Sequence, residues 1–196
     1  KNIWKIEELN TRILTTLGLI LVYRLGTEIV LPGIDPAGLS ALQEQTANNG
    51  VLGLLDMFSG GAFSNASIFA LGIMPYISAS IVVQLLGIAV PYFQRMQREG
   101  ESGRRKINQI TRYLTVIILI LQGSAYLTNL HMQIQPEFFL IKGAFFTIYS
   151  VAILAAGSMF VLWLGEKITD KGIGNGVSII IMIGIIARLP AAIMQE

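Results

Sequence analysis

The stretch LLDMFSGGAFSNASIFALGIMPYISASIVVQLLG, residues 54–87, lies in an uncharged run that is too long for one membrane helix. No Asp, Glu, Lys or Arg occurs between Asp56 and Arg95, whereas a helix needs only about 20 apolar residues to cross the hydrocarbon core. A straight helix over the whole run would be nearly twice as long as that core is thick. We therefore predict that the run breaks into two pieces.

Two adjacent glycines provide the predicted break. Gly60 and Gly61 are poor residues for a helix interior, and Ser64 or Asn65 can cap a helix that starts after them. The break divides the run into a short stub over about 51–63 and a full span over about 66–93. The stub can be buried in protein or line a cavity, or it can lie flat on the outer surface as a re-entrant or interfacial turn. The residues alone leave both positions open.

Composition predicts an integral membrane protein built from helices. Of the 196 residues, 53% are hydrophobic and 13% are charged, and the mean hydropathy is +0.63, a balance unlike that of a soluble domain. The absence of cysteine excludes disulfides, thiolate metal sites and a cysteine nucleophile. The apolar segments predict an all-α, polytopic bundle with the stub as a short re-entrant helix and five spans, at about 13–31, 66–93, 113–130, 143–164 and 174–194.

The positive charges predict the orientation. Basic side chains cluster in 95–112, whereas none occurs in 25–94. By the positive-inside rule the 95–112 loop is cytoplasmic, as is the N-terminus with Lys1, Lys5 and Arg12. A basic run can also bind nucleic acid, but beside two predicted spans it is more typical of a topology signal, and it could also face a ribosome. The clustered residues are Arg95, Arg98, Arg104, Arg105, Lys106 and Arg112.

No motif for enzymatic chemistry is visible. HExxH and GxSxG are absent, and the single histidine, His131, lies in a predicted outer loop. The sequence GIGNG, residues 172–176, lacks the Lys and Ser or Thr that follow in a phosphate-binding loop. We predict instead that Gly172 ends the fourth span and that Asn175 caps the fifth. The sequence therefore predicts no catalytic residue, cofactor or metal.

Three long motifs resemble the SecY family of bacterial protein-conducting channels. They are FSGGAFSNASIFALGIMPYISASIVVQLL, EGESGRRKINQITRY and WLGEKITDKGIGNGVSIIIMIGI, in the order in which that family has them. The family has ten spans in two inverted halves, and the chain resembles the first half only. The resemblance implies a passive translocase subunit of the bacterial plasma (inner) membrane. It would pass unfolded polypeptides across that membrane and signal or transmembrane segments into it.

The same resemblance implies a set of partners. SecE and SecG would accompany the subunit, and the SecA motor or the ribosome would supply the energy for translocation. The channel would bind a signal sequence and the translocating polypeptide, and its pore would need the C-terminal half. The lipid bilayer surrounds it, and ribosomal RNA would be contacted only indirectly. No cofactor is implied.

Individual residues acquire roles only through this resemblance. The stub would be a movable plug, and aliphatic side chains would form half of a pore ring. Ile73 and Ile77 share one helix face, and Val177 and Ile181 repeat their spacing, although that spacing alone is more typical of ordinary helix packing. The implied residues are Phe58, Ser59, Gly60 and Gly61 for the plug; Ile73, Ile77, Val177 and Ile181 for the ring; Gln84 and Gln122 for a lateral gate; and Arg98, Arg104, Arg105 and Lys106 for the basic cytoplasmic loop.

Two other classes of membrane protein remain as alternatives. A secondary transporter also uses broken helices around a site in the middle of the membrane. Glu28, paired with Arg24 one turn earlier, is the only acidic side chain within the predicted spans, which weighs against proton coupling. A structural membrane module would need no constriction, so polar substitutions at Ile73 and Ile77 would leave its ion permeability unchanged.

Overall fold

The computed structural model describes residues 6–194, which form eight α-helices and two single 3₁₀ turns. The predicted all-α class is confirmed for this part of the chain, where the strand-like pairings are two isolated bridges. Lys1 and Lys5, on which the predicted orientation partly rests, lie outside the described residues. The helices are α1 Glu7–Thr27, α2 Leu39–Asn48, α3 Gly50–Phe58, α4 Met74–Ala89, α5 Pro91–Arg98, α6 Glu101–Gln133, α7 Ala144–Lys171 and α8 Gly176–Met194, with 3₁₀ turns at Pro36–Gly38 and Pro136–Phe138.

Length and apolarity identify two helices within residues 6–194 that could each cross a membrane. They are α6, with 33 residues, and α7, with 28 residues. The helices α4 and α5 pass the same test only when taken together, and they are bent by 100° where they meet at Val90. The last helix, α8, is apolar over the shorter range Gly176–Pro190. These helices suit a membrane protein, while the number of five crossings stays a prediction.

The helix inside the second predicted span is shorter than expected. Positive φ angles at Gly60 (67°) and Gly61 (91°) follow the end of α3 at Phe58, which confirms the predicted break. Residues 59–73 then form a series of turns, and α4 begins only at Met74. The predicted helix cap at Ser64 or Asn65 is therefore wrong. Ser64 instead makes tertiary hydrogen bonds, because two charged side chains converge on it.

The basic segment 95–112 is mostly helical, in contrast to the predicted loop. Helix α5 ends at Arg98 and α6 begins at Glu101, with Gly100 at φ 73° between them. Met96 is buried on the inner side of α5, while the basic side chains point outward. Exposed amphipathic helices and loops share the same polar composition, so charge alone could not distinguish them.

The junction between α7 and α8 follows the prediction. Gly172 is the first residue after α7, and the Asn175 side-chain Oδ1 accepts a hydrogen bond of 3.2 Å from the Ser178 backbone N–H at the start of α8. An Asn cap satisfies one of the free N–H groups of the first helical turn. Helix α7 continues for seven residues past the predicted end of its span. Glu166 and Lys167, the charged residues that end the apolar run, still lie within the helix.

Two groups of buried apolar side chains hold the helices together. Lipid is as apolar as these side chains, so burial from water does little to bring membrane helices together. Close packing and hydrogen bonds between the helices drive their association instead. The first core cluster joins α2, α6 and α7 to the turns that precede α4. It contains Leu31, Ile34, Leu39, Leu42, Phe63, Ala66, Ala70, Leu71, Leu119, Tyr126, Leu127, Leu130, Ile134, Phe139, Phe146 and Leu154. The second core cluster joins α1, the same turns, α7 and α8; it contains Tyr23, Ala62, Phe69, Ile73, Val161, Leu164, Ile168 and Ile180.

Candidate functional site

Residues 59–73, which we call the hinge segment, connect α3 to α4 through the interior of the bundle. Several of its side chains are almost completely buried, including Ser59 (2% exposed), Ala62 (0%), Ser64 (2%) and Ser67 (0%). An irregular backbone that is buried needs partners for its N–H and C=O groups, because no water is present to bind them. Side chains from α1, α3 and α6 provide several of these partners.

Helix α1 binds the hinge segment through two neighbouring side chains. The Tyr23 hydroxyl donates to the Ser59 carbonyl at 3.1 Å, and the Arg24 guanidinium donates to the Gly60 carbonyl at 2.9 Å. Arg24 also lies 3.7 Å from the Glu28 carboxylate, as predicted from their spacing. The spacing of Arg24 and Glu28 predicts that pair but does not indicate the second partner of Arg24, the Gly60 carbonyl. A guanidinium has five N–H donors, so it can serve both.

Asp56 and Arg188 form the central ion pair of the site. The Arg188 guanidinium donates to Oδ2 of Asp56 and, at 2.7 Å, to the Ser64 hydroxyl. The other carboxylate oxygen, Oδ1, accepts from the Ser64 backbone N–H at 2.8 Å. The Asp56 side chain is only 10% exposed and that of Arg188 is 35% exposed. The end of α3, the hinge segment and α8 thus meet at one charge-assisted network.

Helix α6 contributes a further bond to the hinge segment. The Tyr126 hydroxyl donates to the Phe63 carbonyl at 2.7 Å, and the two rings pack with their centroids 4.9 Å apart. Within the hinge segment, the Ser59 hydroxyl donates to the Asp56 carbonyl at 3.0 Å and accepts from the Phe63 N–H at 3.1 Å. The first turn after α3 is therefore held on both sides.

Asp56, Arg188 and Tyr126 belong to this site but are not predicted from the sequence, in which Asp56 only marks the limit of an uncharged run. A signal for the pair exists, since two lone opposite charges beside long apolar segments each need a partner at membrane depth. No comparable signal exists for Tyr126, because the backbone carbonyl that it binds belongs to a turn that the sequence does not reveal.

The structure brings the four predicted ring residues to the same core cluster. Ile73 is part of the second core cluster and is 4% exposed. Ile77, Val177 and Ile181 are partly buried and pack against that cluster. Aliphatic side chains from α4 and α8 therefore lie together next to the end of the hinge segment.

The two predicted gate residues occupy different surroundings, and within residues 6–194 no hydrogen bond joins them. Gln84 is exposed on α4 and donates to the Ser80 hydroxyl at 3.3 Å. Gln122 on α6 lines a half-open pocket of about 310 Å³ whose walls are mostly apolar. The other residues of the pocket wall are Leu52, Leu55, Phe63, Ala70, Leu71, Met74, Ala125, Tyr126 and Asn129.

The four basic residues of the predicted loop are all exposed, at the junction of α5 and α6. Arg98 lies at the end of α5, and the other three lie in the first turns of α6. Arg105 pairs with Glu101 at 2.7 Å, and Lys106 lies 3.7 Å from Glu99. Exposed pairs of this kind contribute little to stability, so the basic side chains remain available to a partner. The set is Arg98, Arg104, Arg105 and Lys106.

Comparison with known proteins gives a consistent picture. Residues 67–195 match the family model of SecY. The protein translocase subunit SecY of Escherichia coli (strain K12) is 50% identical over 187 residues, which make up 95% of this chain and 42% of that protein. The subunit of Streptomyces coelicolor is 44% identical over 202 residues, covering 97% of this chain and 45% of its own length. The chain thus spans about half the length of these curated relatives.

Solved structures share the fold. A protein-conducting channel superposes with a TM-score of 0.58 at 19% identity, over 89% of this chain and 36% of the other. Sec61 in a canine ribosome–channel complex from the endoplasmic reticulum superposes with a TM-score of 0.57 at 20% identity, with the same coverage. At these identities the likeness concerns the arrangement of helices alone.

Proposed function

The chain belongs to the SecY family, and on that basis we propose that it forms the N-terminal half of a protein-conducting channel. The channel passes unfolded polypeptides across the bacterial plasma membrane and releases signal or transmembrane segments into the lipid. This half contributes five spans, with its N-terminus in the cytoplasm, and the C-terminal half completes the pore. The channel is passive, and the energy comes from the SecA motor or the ribosome.

The contact between the end of α3 and α8, the helix that carries the predicted ring residues Val177 and Ile181, is the observation that carries this proposal. The short helix α3 ends at the Gly60–Gly61 turn, and the hinge segment leads from there to Ile73 in the second core cluster. Rotation at two glycines can move α3 aside because few dihedral angles must change and glycine tolerates many values. We assign α3 as the plug, with Phe58, Ser59, Gly60 and Gly61 as its end and hinge.

The four aliphatic residues form half of the pore ring in this proposal. Ile73, Ile77, Val177 and Ile181 offer no hydrogen bonds, so a narrow opening between them and their counterparts in the C-terminal half would not hold water. The same side chains can move apart around a polypeptide of any sequence, because they make no specific polar contacts that would have to be broken. A ring of this kind seals against ions and still lets a chain pass.

The lateral gate and the cytoplasmic surface complete the proposal. Gln84 on α4 and Gln122 on α6 are polar groups that need partners within the membrane, and we place those partners in the C-terminal half. The apolar pocket beside Gln122 offers a signal sequence a surface to bind. Arg98, Arg104, Arg105 and Lys106 face SecA or the ribosome, while SecE and SecG bind elsewhere on the assembled channel.

Crosslinking to a stalled substrate tests the proposal. The full-length channel, with its C-terminal half and without other cysteines, would carry Ile77→Cys or Phe58→Cys, and a translocating chain with one cysteine would be stalled within it. We expect a disulfide between the substrate and position 77. We also expect a thiol reagent to reach position 58 only during translocation, because the plug then leaves its seat.

A matched variant on the same helix controls for random collision. Val82 is 41% exposed and lies five residues, or about 140° of helical rotation, from Ile77. Val82→Cys should give no crosslink to the stalled chain. Equal crosslinking at both positions, or none at position 77 in a channel that translocates, would mean that these aliphatic residues do not line a pore.

A further inference from the structure

We propose that Asp56 and Arg188 form a latch that keeps the plug seated, and that α8 couples the opening of the pore ring to the release of this latch. The proposal rests on the plug role assigned above to α3. In this arrangement α8 both carries Val177 and Ile181 and holds the end of α3 through Arg188.

The latch joins the plug directly to a membrane helix. Asp56 is the third residue from the end of α3, and its carboxylate is almost completely buried against the Arg188 guanidinium. The Ser64 N–H and hydroxyl bind the carboxylate and the guanidinium respectively, so the pair also closes the first turns of the hinge segment. A charge-assisted pair of this kind is stronger where it is shielded from water, although the buried Nε–H of Arg188 has no hydrogen-bond partner within the described residues.

The ring residue and the latch lie on one side of α8. Ile181, Gly184 and Arg188 are spaced by three and four residues, so they follow the same face of the helix over two turns. Between the ring and the latch, the plug hinge touches the backbone of α8. A Cβ built at Gly184 would lie 3.0 Å from the Phe58 carbonyl oxygen and 3.2 Å from the Gly60 nitrogen.

The position of α8 therefore affects both the pore ring and the seating of the plug. When a polypeptide pushes the ring apart, α8 must move outward with Val177 and Ile181. The same motion withdraws Gly184 from the hinge and Arg188 from Asp56, because a helix moves as one rigid element over two turns. Water that enters with the polypeptide solvates both charges, so the pair that is strong in the sealed state becomes weak in the open one.

Ion leak through the resting channel tests the latch. The full-length channel would be reconstituted in vesicles without a substrate, as the wild type and with Asp56→Asn or Arg188→Gln. We expect each variant to raise the resting leak roughly tenfold, since it leaves a buried charge or amide without its partner. The reversed pair, Asp56→Lys with Arg188→Glu, should restore only part of the seal, because an ammonium at position 56 cannot accept from the Ser64 N–H. Arg112→Gln, which removes the exposed pair with Glu166, is the matched control and should not leak.

A reversible crosslink tests whether the latch must open. The variant Asp56→Cys with Arg188→Cys, otherwise free of cysteine, would be treated with a reducible bifunctional thiol reagent. Before treatment we expect a raised leak; after treatment we expect a sealed channel that no longer translocates. A reductant should restore translocation. The pair Ser124→Cys with Thr128→Cys, two exposed residues one turn apart on α6, is the control, and its crosslinking should leave translocation unchanged.

The outcomes separate the latch from the plug. A channel without residues 50–58 belongs in the same leak assay. If that deletion leaks while Asp56→Asn, Arg188→Gln and the wild type are equally tight, the plug assignment stands and the latch is wrong. If the crosslinked channel translocates at the normal rate, the latch is wrong as well. If the deletion itself does not leak, both the plug assignment and the latch are overturned.

Discussion

The guanidinium of Arg188 occupies the space that a side chain at Gly61 would need. A Cβ built at Gly61 would lie 2.8 Å from Nη2 and 2.9 Å from Nε of Arg188, and the φ angle of Gly61 is +91°. Two separate requirements therefore restrict this position to glycine. The backbone conformation disfavours any other residue, and the arginine that binds Asp56 leaves no room for one.

In the proposed channel, Gly61→Ala should lower the stability and raise the resting ion leak. The left-handed backbone conformation alone costs about 1–2 kcal/mol for a residue with a Cβ, and the methyl group would push Arg188 away from Asp56. Thermal unfolding of the purified channel in detergent and ion efflux from vesicles would measure the two effects. Gly18→Ala is the control, because a Cβ there meets no atom within 4 Å. Equal stability of the two variants would contradict the steric argument.

Tyr126→Phe should lower the unfolding temperature without changing any charge. The variant removes the hydroxyl that donates to the Phe63 carbonyl, which keeps a bond of 3.3 Å from the Ala66 N–H. The expected cost is therefore that of one net hydrogen bond, about 0.5–1.5 kcal/mol. Tyr113→Phe on the same helix is the matched control, since Tyr113 is 73% exposed. Thermal unfolding of both variants gives the comparison. If Tyr113→Phe lowers the unfolding temperature as much as Tyr126→Phe does, the bond to Phe63 contributes nothing of its own.

The features that the sequence predicted correctly depend on local properties. Long apolar runs predicted the helical class, the Gly60–Gly61 pair predicted the end of α3, and Asn175 predicted the start of α8. In each case the physical reason lies within a few neighbouring residues: helix propensity, positive φ or a side-chain cap. The roles of the ring, plug and gate residues came from the family resemblance instead, and they stay predictions.

The features that the sequence did not predict depend on contacts between distant residues. Ser64 has the chemistry of a helix cap, but Asp56 and Arg188 bind it, and α4 begins only at Met74. Arg188 is 132 residues away from Asp56 along the chain. A pattern within one segment carries no information about such a partner. The presence of an unpaired charge could have been noticed, but the identity of its partner could not.

Gly26→Ala should disturb the packing of α1 on the hinge segment. A Cβ at Gly26 would lie 2.0 Å from Cε2 of Phe69, a ring that is only 3% exposed, so the ring would have to move. Overpacking of this kind typically costs about 1–3 kcal/mol.

The smaller side chain in Phe69→Leu should partly rescue Gly26→Ala. Unfolding temperatures of the two single variants and the double variant form a double-mutant cycle. We expect the double variant to be more stable than the sum of the single effects, because the two residues compete for the same space. Additive effects would show that Phe69 avoids the new methyl group without strain.

Polar substitutions in the proposed ring should make the resting channel leak while it still translocates. Ile77→Asn and Ile181→Asn each place a group that binds water at the constriction, which weakens the exclusion of water by aliphatic side chains. A rise of roughly tenfold in ion efflux would correspond to about 1.4 kcal/mol in favour of the wet state. Val82→Asn, on the other side of α4, is the control and should stay tight. If all three variants leak equally, the aliphatic side chains only pack, and the seal must lie elsewhere in the assembled channel.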